Sequence, residues 1–272
     1  MTPAALSIAG SDSGGGAGIQ MDLRVFRRLG VLGTTAITAV TAQNLEGVTA
    51  VAGIDPRPLQ AQVRAVFDGF DVRAIKTGML WSRQSVDAVV EVLASRDAPV
   101  VVDPVMIATT GARLLDDDAI EAYGPLLRRA TLVTPNLDEA DVLAGRTIDR
   151  GDIAREARRL VDRLGGAVLL KGGHLDGAPR DVLATATETV AWDHARIVGI
   201  NSHGSGCMLS SAIAARLALG DALVDAVAAG LAFAHDALAR AAGHEPALSQ
   251  VEQAEIEPAH LRRVTHPGVG IA

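Results

Sequence analysis

Short apolar runs alternate along this chain with longer stretches in which apolar side chains recur every three or four residues. Runs of the first kind predict buried strands over residues 4–9, 34–40, 73–76, 99–103, 131–134 and 167–171. Stretches of the second kind predict helices over 17–29, 58–67, 82–93, 117–127 and 153–164. Such alternation predicts an α/β fold with a mostly parallel central sheet and helices on both faces. Two stretches break the rhythm. Residues 181–198 read as short strands with no helix between them, a small antiparallel edge, and 204–241 read as two consecutive helices. The second of these, 222–241, is rich enough in alanine and other apolar residues to be expected well buried. No Pro/Ser-rich linker, repeat or low-complexity tract divides the chain, so a single domain over 1–272 is expected, with its core at about 4–241 and a polar, proline-containing tail over 243–272.

Composition narrows the function classes. The 272 residues are 49% hydrophobic, enough for a large core, and carry a formal charge of −7. That charge argues against nucleic-acid binding driven by phosphate neutralisation, and no polybasic segment suits anionic lipid. A single cysteine rules out an intramolecular disulfide framework and a cysteine-based zinc site. Residues 1–10 lack a basic segment followed by a long apolar one, and no apolar run reaches membrane-spanning length. A soluble cytoplasmic protein is expected.

In open parallel sheets, ligands bind beyond the carboxyl ends of the strands. The predicted strand ends read Gly10-Ser-Asp-Ser-Gly-Gly-Gly-Ala-Gly18, Thr41-Ala-Gln-Asn44, Lys76-Thr-Gly-Met79, Asp103-Pro-Val-Met106, Thr134-Pro-Asn136 and Lys171-Gly-Gly-His174. Turn formation accounts for the glycines. It accounts less well for the lysines, acids and amides gathered on the same rim.

The most informative stretch, Asn201-Ser-His-Gly-Ser-Gly-Cys207, runs straight into a helical pattern over 208–219. Gly204 and Gly206, on either side of Ser205, let consecutive N–H groups turn toward one point, and the helix adds the positive end of its dipole. This is a device for holding an anion, with Cys207 at its mouth. A thiol at a helix N-terminus is expected to have a lowered pKa. An anion cradle beside an ionisable group suits phosphoryl transfer to a hydroxyl. The competing reading is a Gly-rich turn with a buried, inert thiol.

The loop over 10–18 matches neither a Walker A motif nor the dinucleotide fingerprint, and instead lets backbone approach a small or flat ligand closely. Asp12 and Asp22 are candidates for function or for capping, with capping the better reading for Asp22. Asp103, Asn136 and Glu139 offer hard oxygen atoms at successive strand ends, suited to a Mg2+ held mostly through water and phosphate oxygens. Asn136 and Asp138 serve equally well as caps of a helix starting near 137, with Glu139 a favourable first-turn acid. Lys171, ahead of two glycines, would reach a terminal phosphate as a point charge; the alternative is a solvated surface lysine. The seven histidines form no His-x-x-x-His or His-Glu-x-x-His pattern, and no Gly-x-Ser-x-Gly elbow occurs, which removes zinc-enzyme and hydrolase readings.

Seven segments stand in order over about residues 4–240: Ser7-Ile-Ala-Gly-Ser-Asp-Ser-Gly-Gly-Gly-Ala-Gly-Ile-Gln-Met-Asp22, Thr38-Ala-Val-Thr-Ala-Gln-Asn44, Lys76-Thr-Gly-Met-Leu80, Val102-Asp-Pro-Val-Met106, Thr134-Pro-Asn-Leu-Asp-Glu-Ala140, Leu170-Lys-Gly-Gly-His174 and Asn201-Ser-His-Gly-Ser-Gly-Cys207. Together they resemble the hydroxymethylpyrimidine/phosphomethylpyrimidine kinases of thiamine biosynthesis, within the ribokinase-like superfamily. The resemblance implies a ribokinase-like three-layer fold, a homodimer, and ATP and Mg2+ as cofactors. It implies phosphate transfer to the pyrimidine's hydroxymethyl group and then to the resulting monophosphate. Gly204, Ser205 and Gly206 would form the anion hole, with Cys207 beside the acceptor hydroxyl, where the wider superfamily has an aspartate as base. Gln43 would hydrogen-bond the pyrimidine, with Gly10, Ala17, Met79 and Asp22 also at the substrate site. Lys171, Asn136, Glu139 and Thr134 would serve the nucleotide, and Asp103 and Glu139 the metal.

Three departures from the family pattern stand out. The loop Ile107-Ala-Thr-Thr-Gly111 lacks a lysine that many members carry, so a potassium ion or another basic residue would have to compensate. The Gly-rich, Pro-containing tail is reduced to Gly243-His-Glu-Pro246, and Gly199-Ile200 stands where a basic or small polar residue is frequent. Two rivals follow: a pyridoxal-type kinase, whose substrate also presents a hydroxymethyl group on a flat nitrogen heterocycle, and a non-catalytic pyrimidine sensor. Gln43 and Met79 favour the pyrimidine; the intact Gly-Ser-Gly-Cys and Lys171 favour an enzyme.

Overall fold

The chain is described from a computed structural model over residues 2–44, 46–106, 117–173, 175, 178–197 and 203–242. The three departures above, together with His174, Asn201 and Ser202, lie outside the described residues.

Among the described residues nine strands form one sheet in the order β3-β2-β1-β4-β5-β6-β7-β8-β9. Inside it, β1 (Ala4–Asp12) is paired in parallel with β2 (Leu32–Asn44) and β4 (Val72–Thr77). The parallel run continues through β5 (Val100–Val102), β6 (Leu132–Val133) and β7 (Ala167–Leu170). Strands β8 (Arg180–Ala184) and β9 (Thr189–Asp193) add the expected antiparallel edge. The opposite edge is also antiparallel, because β3 (Gly47–Gly53) turns back on β2. Sequence periodicity misses β3. None of its residues is buried, so it carries no alternation to read.

Side chains alternate across the strands, so each strand feeds two cores. Leu6, Ile8, Ile75, Val100 and Val102 face a core completed by α2 (Pro56–Gly69), α3 (Arg83–Leu93), α4 (Asp117–Arg129), α5 (Leu137–Ala144) and α6 (Ile153–Leu164). Ala5, Ala74 and Val101 point the other way, against α1 (Gly18–Arg28), α7 (Ser205–Ala218) and α8 (Leu223–Ala241). The result is the three-layer αβα arrangement that the alternation predicts.

Helix α8 corrects one expectation. Only a stripe of Ala226, Val227, Gly230, Leu231 and Ala234 is buried, and the rest of the helix is half-buried or exposed. Alanine content conceals which face packs, since a small side chain suits both a tight interface and a wet surface. The interface is tight: a Cβ on Gly230 would meet Ile213 Cγ1 at 2.6 Å. No helix among the described residues is long and apolar enough to cross a membrane.

Candidate active site

The carboxyl ends of the parallel strands and the first turn of α7 enclose a cavity of about 660 Å³. Gly10, Ala17, Gln43, Met79, Asp103, Asn136, Glu139, Lys171, Gly204, Ser205, Gly206 and Cys207 all line it. Asp22 and Thr134 do not.

Local geometry builds the turn expected to cradle an anion. Gly204 caps α7 at φ 82°, in the left-handed region, and no side chain caps the helix. The N–H groups of Ser205, Gly206 and Cys207 therefore belong to the first turn, where a helix offers donors it cannot satisfy itself. Only glycine fits at 204, because a Cβ there would sit 1.9 Å from the Gly16 carbonyl oxygen. Gly18, at φ 57°, is held the same way, with its would-be Cβ 2.3 Å from the Gly10 oxygen. The two glycine loops thus clasp each other, and the N–H of Gly18 donates to the Cys207 sulfur.

On one side of the cradle lie the charged strand ends. Lys171 Nζ stands 3.2 Å from Asp103 Oδ1. Asp103 also accepts from Ser210 Oγ at 3.1 Å and from Thr134 Oγ1 at 3.3 Å. Thr134 therefore supports Asp103 from within the core rather than facing the cavity. Burial works against the charge of Lys171, but the Asp103 and Glu139 carboxylates outweigh it and hold the ammonium. Asn136 and Glu139 form a capping box on α5: Asn136 Oδ1 accepts from the Glu139 N–H at 2.8 Å, and Glu139 Oε2 accepts from the Asn136 N–H at 2.9 Å. Both cap the helix and line the cavity, so the two readings of Asn136 are compatible.

Burial pushes the Glu139 carboxyl up to about 7; Lys171 pulls it down and Asp103 pushes it further up. The folded protein then holds a proton that the unfolded chain, with glutamate at its ordinary 4.5, has already released. Stability is expected to fall as pH rises from about 4.5 to about 7, by up to about 3 kcal/mol, and to level off above. Thermal melts of wild type and Glu139→Gln across that range check this. The variant should lose the slope, and parallel curves would contradict the account.

On the other side the wall comes close to backbone. A Cβ on Gly10 would meet Met79 Cε at 2.6 Å, so glycine leaves room for the methionine. Gln43 Nε2 lies 3.2 Å from His203 Nε2, and Gln43 Oε1 accepts from Thr41 Oγ1 at 3.3 Å. Asp12 caps the loop, accepting from the N–H groups of Gly14, Gly16 and Ala17 at 2.8, 3.0 and 2.9 Å. Burial would raise its pKa, but His203 and these N–H groups hold it below the usual range.

Two expectations are corrected here. Cys207 lies at a helix N-terminus as foreseen, yet its thiol is pushed up to about 11, because burial outweighs the Lys76 charge that favours the thiolate. Asp22 neither caps a helix nor lines the cavity. It is fully buried and ion-paired with Lys76, whose Nζ lies 2.9 Å from Asp22 Oδ2. Lys76 and His203 both line the cavity and were not assigned a role from sequence. Each had a signal, Lys76 as a strand-end lysine and His203 as a member of the cysteine motif. At the far end of the cavity, His194 stacks on His235 at 5.5 Å and stands 3.1 Å from Asp181. Nothing in the local sequence pattern marks that group.

Comparison with known proteins agrees with this geometry. The family model described as phosphomethylpyrimidine kinase matches residues 12–251. A hydroxymethylpyrimidine/phosphomethylpyrimidine kinase of Rhizobium meliloti is 48% identical over 245 residues, 89% of this chain and 92% of that protein. The crystal structure of a phosphomethylpyrimidine kinase from Clostridium difficile superposes with a TM-score of 0.75 at 38% identity, covering 87% of this chain and 98% of that one. An ADP complex of Bacillus subtilis pyridoxal kinase superposes with a TM-score of 0.78 at 33% identity, covering 86% and 90%. This chain belongs to the phosphomethylpyrimidine kinase family.

Proposed function

We propose that this chain transfers a phosphoryl group from ATP to the hydroxymethyl oxygen of hydroxymethylpyrimidine, and then to the resulting monophosphate, supplying the pyrimidine diphosphate for thiamine biosynthesis. The observation that carries the reading is one cavity that holds an uncapped helix N-terminus, a lysine–carboxylate cluster, a pocket wall of Gly10, Ala17, Gln43 and Met79, and a single thiol. Phosphoryl transfer needs little covalent help from the protein beyond positioning and charge stabilisation. Gln43 and Met79, with Gly10 and Ala17, hold the pyrimidine. The N–H groups of Ser205, Gly206 and Cys207 bind the transferring phosphate, and Cys207 accepts the proton of the acceptor hydroxyl. Lys171, Asn136 and Glu139 serve the nucleotide side, with Thr134 steadying Asp103.

The donor set also fits Mg2+. Asp103 and Glu139 are hard oxygen donors beside the anion cradle, and a magnesium held by few carboxylates completes its shell with water and phosphate. The bound ion would neutralise phosphate charge. Potassium as a substitute for the absent loop lysine, a homodimer and a cytoplasmic location belong to the same reading.

The superposition on pyridoxal kinases supports a second reading, pyridoxal as acceptor. One assay separates the readings: ATP consumption with Mg2+ and hydroxymethylpyrimidine, its monophosphate or pyridoxal, with products resolved by mass. Turnover of both pyrimidines supports the proposal. Turnover of pyridoxal alone moves the function to that vitamer, and binding of the pyrimidine without turnover marks a sensor.

A further inference from the structure

Beneath the acceptor end of the cavity lies a buried ion pair that phosphoryl transfer leaves without a task. Lys76 stands near the end of β4, lines the cavity and is fully buried. Its Nζ donates to Asp22 Oδ1 at 3.0 Å and to Oδ2 at 2.9 Å. Asp22, on α1, also accepts from Ser7 Oγ on β1 and from Ser211 Oγ on α7, the latter at 2.6 Å. Ser211 lies one helical turn beyond Cys207, so the two side chains stand above one another on the same face of α7. Four elements thus fix one ammonium under the turn that carries the thiol.

Stability does not explain such a pair. Desolvating two charges offsets most of their attraction, and apolar side chains of similar volume serve a core as well or better. What the pair does supply is a fixed positive charge that cannot be screened by water. Burial alone would strip the proton from Lys76, but Asp22, with smaller contributions from Cys207 and Asp103, holds it on. The effect is mutual: Lys76 favours the Cys207 thiolate more strongly than either Asp22 or Asp103 alone opposes it. The other titratable groups that act on the thiol or share its part of the cavity are Asp103 at the end of β5, Lys171 beyond β7, and the Asp12–His203 pair of the facing loops.

We propose that Lys76, locked by Asp22, is a positioning residue whose fixed ammonium favours the Cys207 thiolate, the form that takes the proton of the acceptor hydroxyl. It rests on the kinase reading only for the identity of that hydroxyl. The same ammonium offsets the repulsion between the thiolate and an incoming phosphate.

Cys207 is the one cysteine of the chain and is partly exposed, so alkylation by iodoacetamide reads it alone and needs no substrate. The informative variant removes both charges together, Lys76→Met with Asp22→Asn, because deleting one partner would strand the other. Circular dichroism and a thermal melt establish its fold; Lys76→Gln with Asp22→Asn, whose amides still hydrogen-bond, is the alternative pair. At a pH below the thiol pKa the neutral pair is expected to alkylate about tenfold more slowly than wild type, a shift of about one pKa unit. Ser211→Ala, which loses a hydrogen bond to Asp22 but keeps both charges, is expected to stay within about twofold of wild type. An unchanged rate in either neutral pair overturns the proposal. Equal slowing in Ser211→Ala also overturns it, since the cluster would then act through packing. Slowed alkylation with kcat unaltered overturns the catalytic half, because the thiolate would not then be the proton acceptor.

Discussion

Replacing Cys207 with alanine is expected to lower kcat by about 10²–10⁴-fold while ATP binding changes little. The thiol lines the cavity at the third residue of α7, where the N–H of Gly18 and the charge of Lys76 both face it. Alanine keeps the helix, the two clasping glycine loops and the N–H donors, and removes only the thiol proposed to accept the proton. A thiol at about 11 is rarely ionised at neutral pH, but its thiolate is a strong base once formed. Positioning next to the hydroxyl compensates for scarcity. Cys207→Asp should recover part of the rate, since a carboxylate accepts the same proton. Steady-state kinetics with nucleotide titration decide the matter, and a kcat near wild type in Cys207→Ala would remove the thiol from the reaction.

Gly204→Ala is expected to damage both activity and stability. The residue sits at φ 82°, and its added Cβ would fall 1.9 Å from the Gly16 carbonyl oxygen. Because the obstacle is backbone, no side chain can swing aside. Either residue 204 leaves the left-handed region and turns the N–H groups of Ser205 and Gly206 away, or the loop around Gly16 retreats and takes Ala17 and Gly18 with it. Loss of one aligned donor in such a site costs about 10²–10³ in kcat. Forcing a Cβ into left-handed backbone adds about 1–2 kcal/mol of destabilisation. Kinetics and thermal melts on the same preparation test the pair of effects. A variant with wild-type kcat would mean that these N–H groups do not bind the transferring phosphate.

Legibility in the sequence followed burial. Strands β5 and β7 were readable because their side chains are buried or nearly so and their apolar runs unbroken. Strand β3 was not, because water covers it. The short helix α5 declared itself only through its capping residues, Asn136 and Glu139, and those same residues turned out to face the cavity. Thr134 and Asp22 were placed at the site by their motifs. Both instead support a neighbour that reaches it, Thr134 holding Asp103 and Asp22 holding Lys76.

By itself the sequence determined what is local: the order of the buried strands and their helices, the glycines that left-handed turns demand, and the run that opens α7 on a cysteine. These depend on residues adjacent along the chain, whose periodicity and backbone freedom can be read directly. Only the tertiary structure decided the environment of each group. It brought Lys76 to Asp22, 54 positions away, and Lys171 to Asp103, 68 positions away. It also reversed the expected shift of Cys207, because the dipole of a helix is a local property whereas desolvation is set by everything that packs around the thiol.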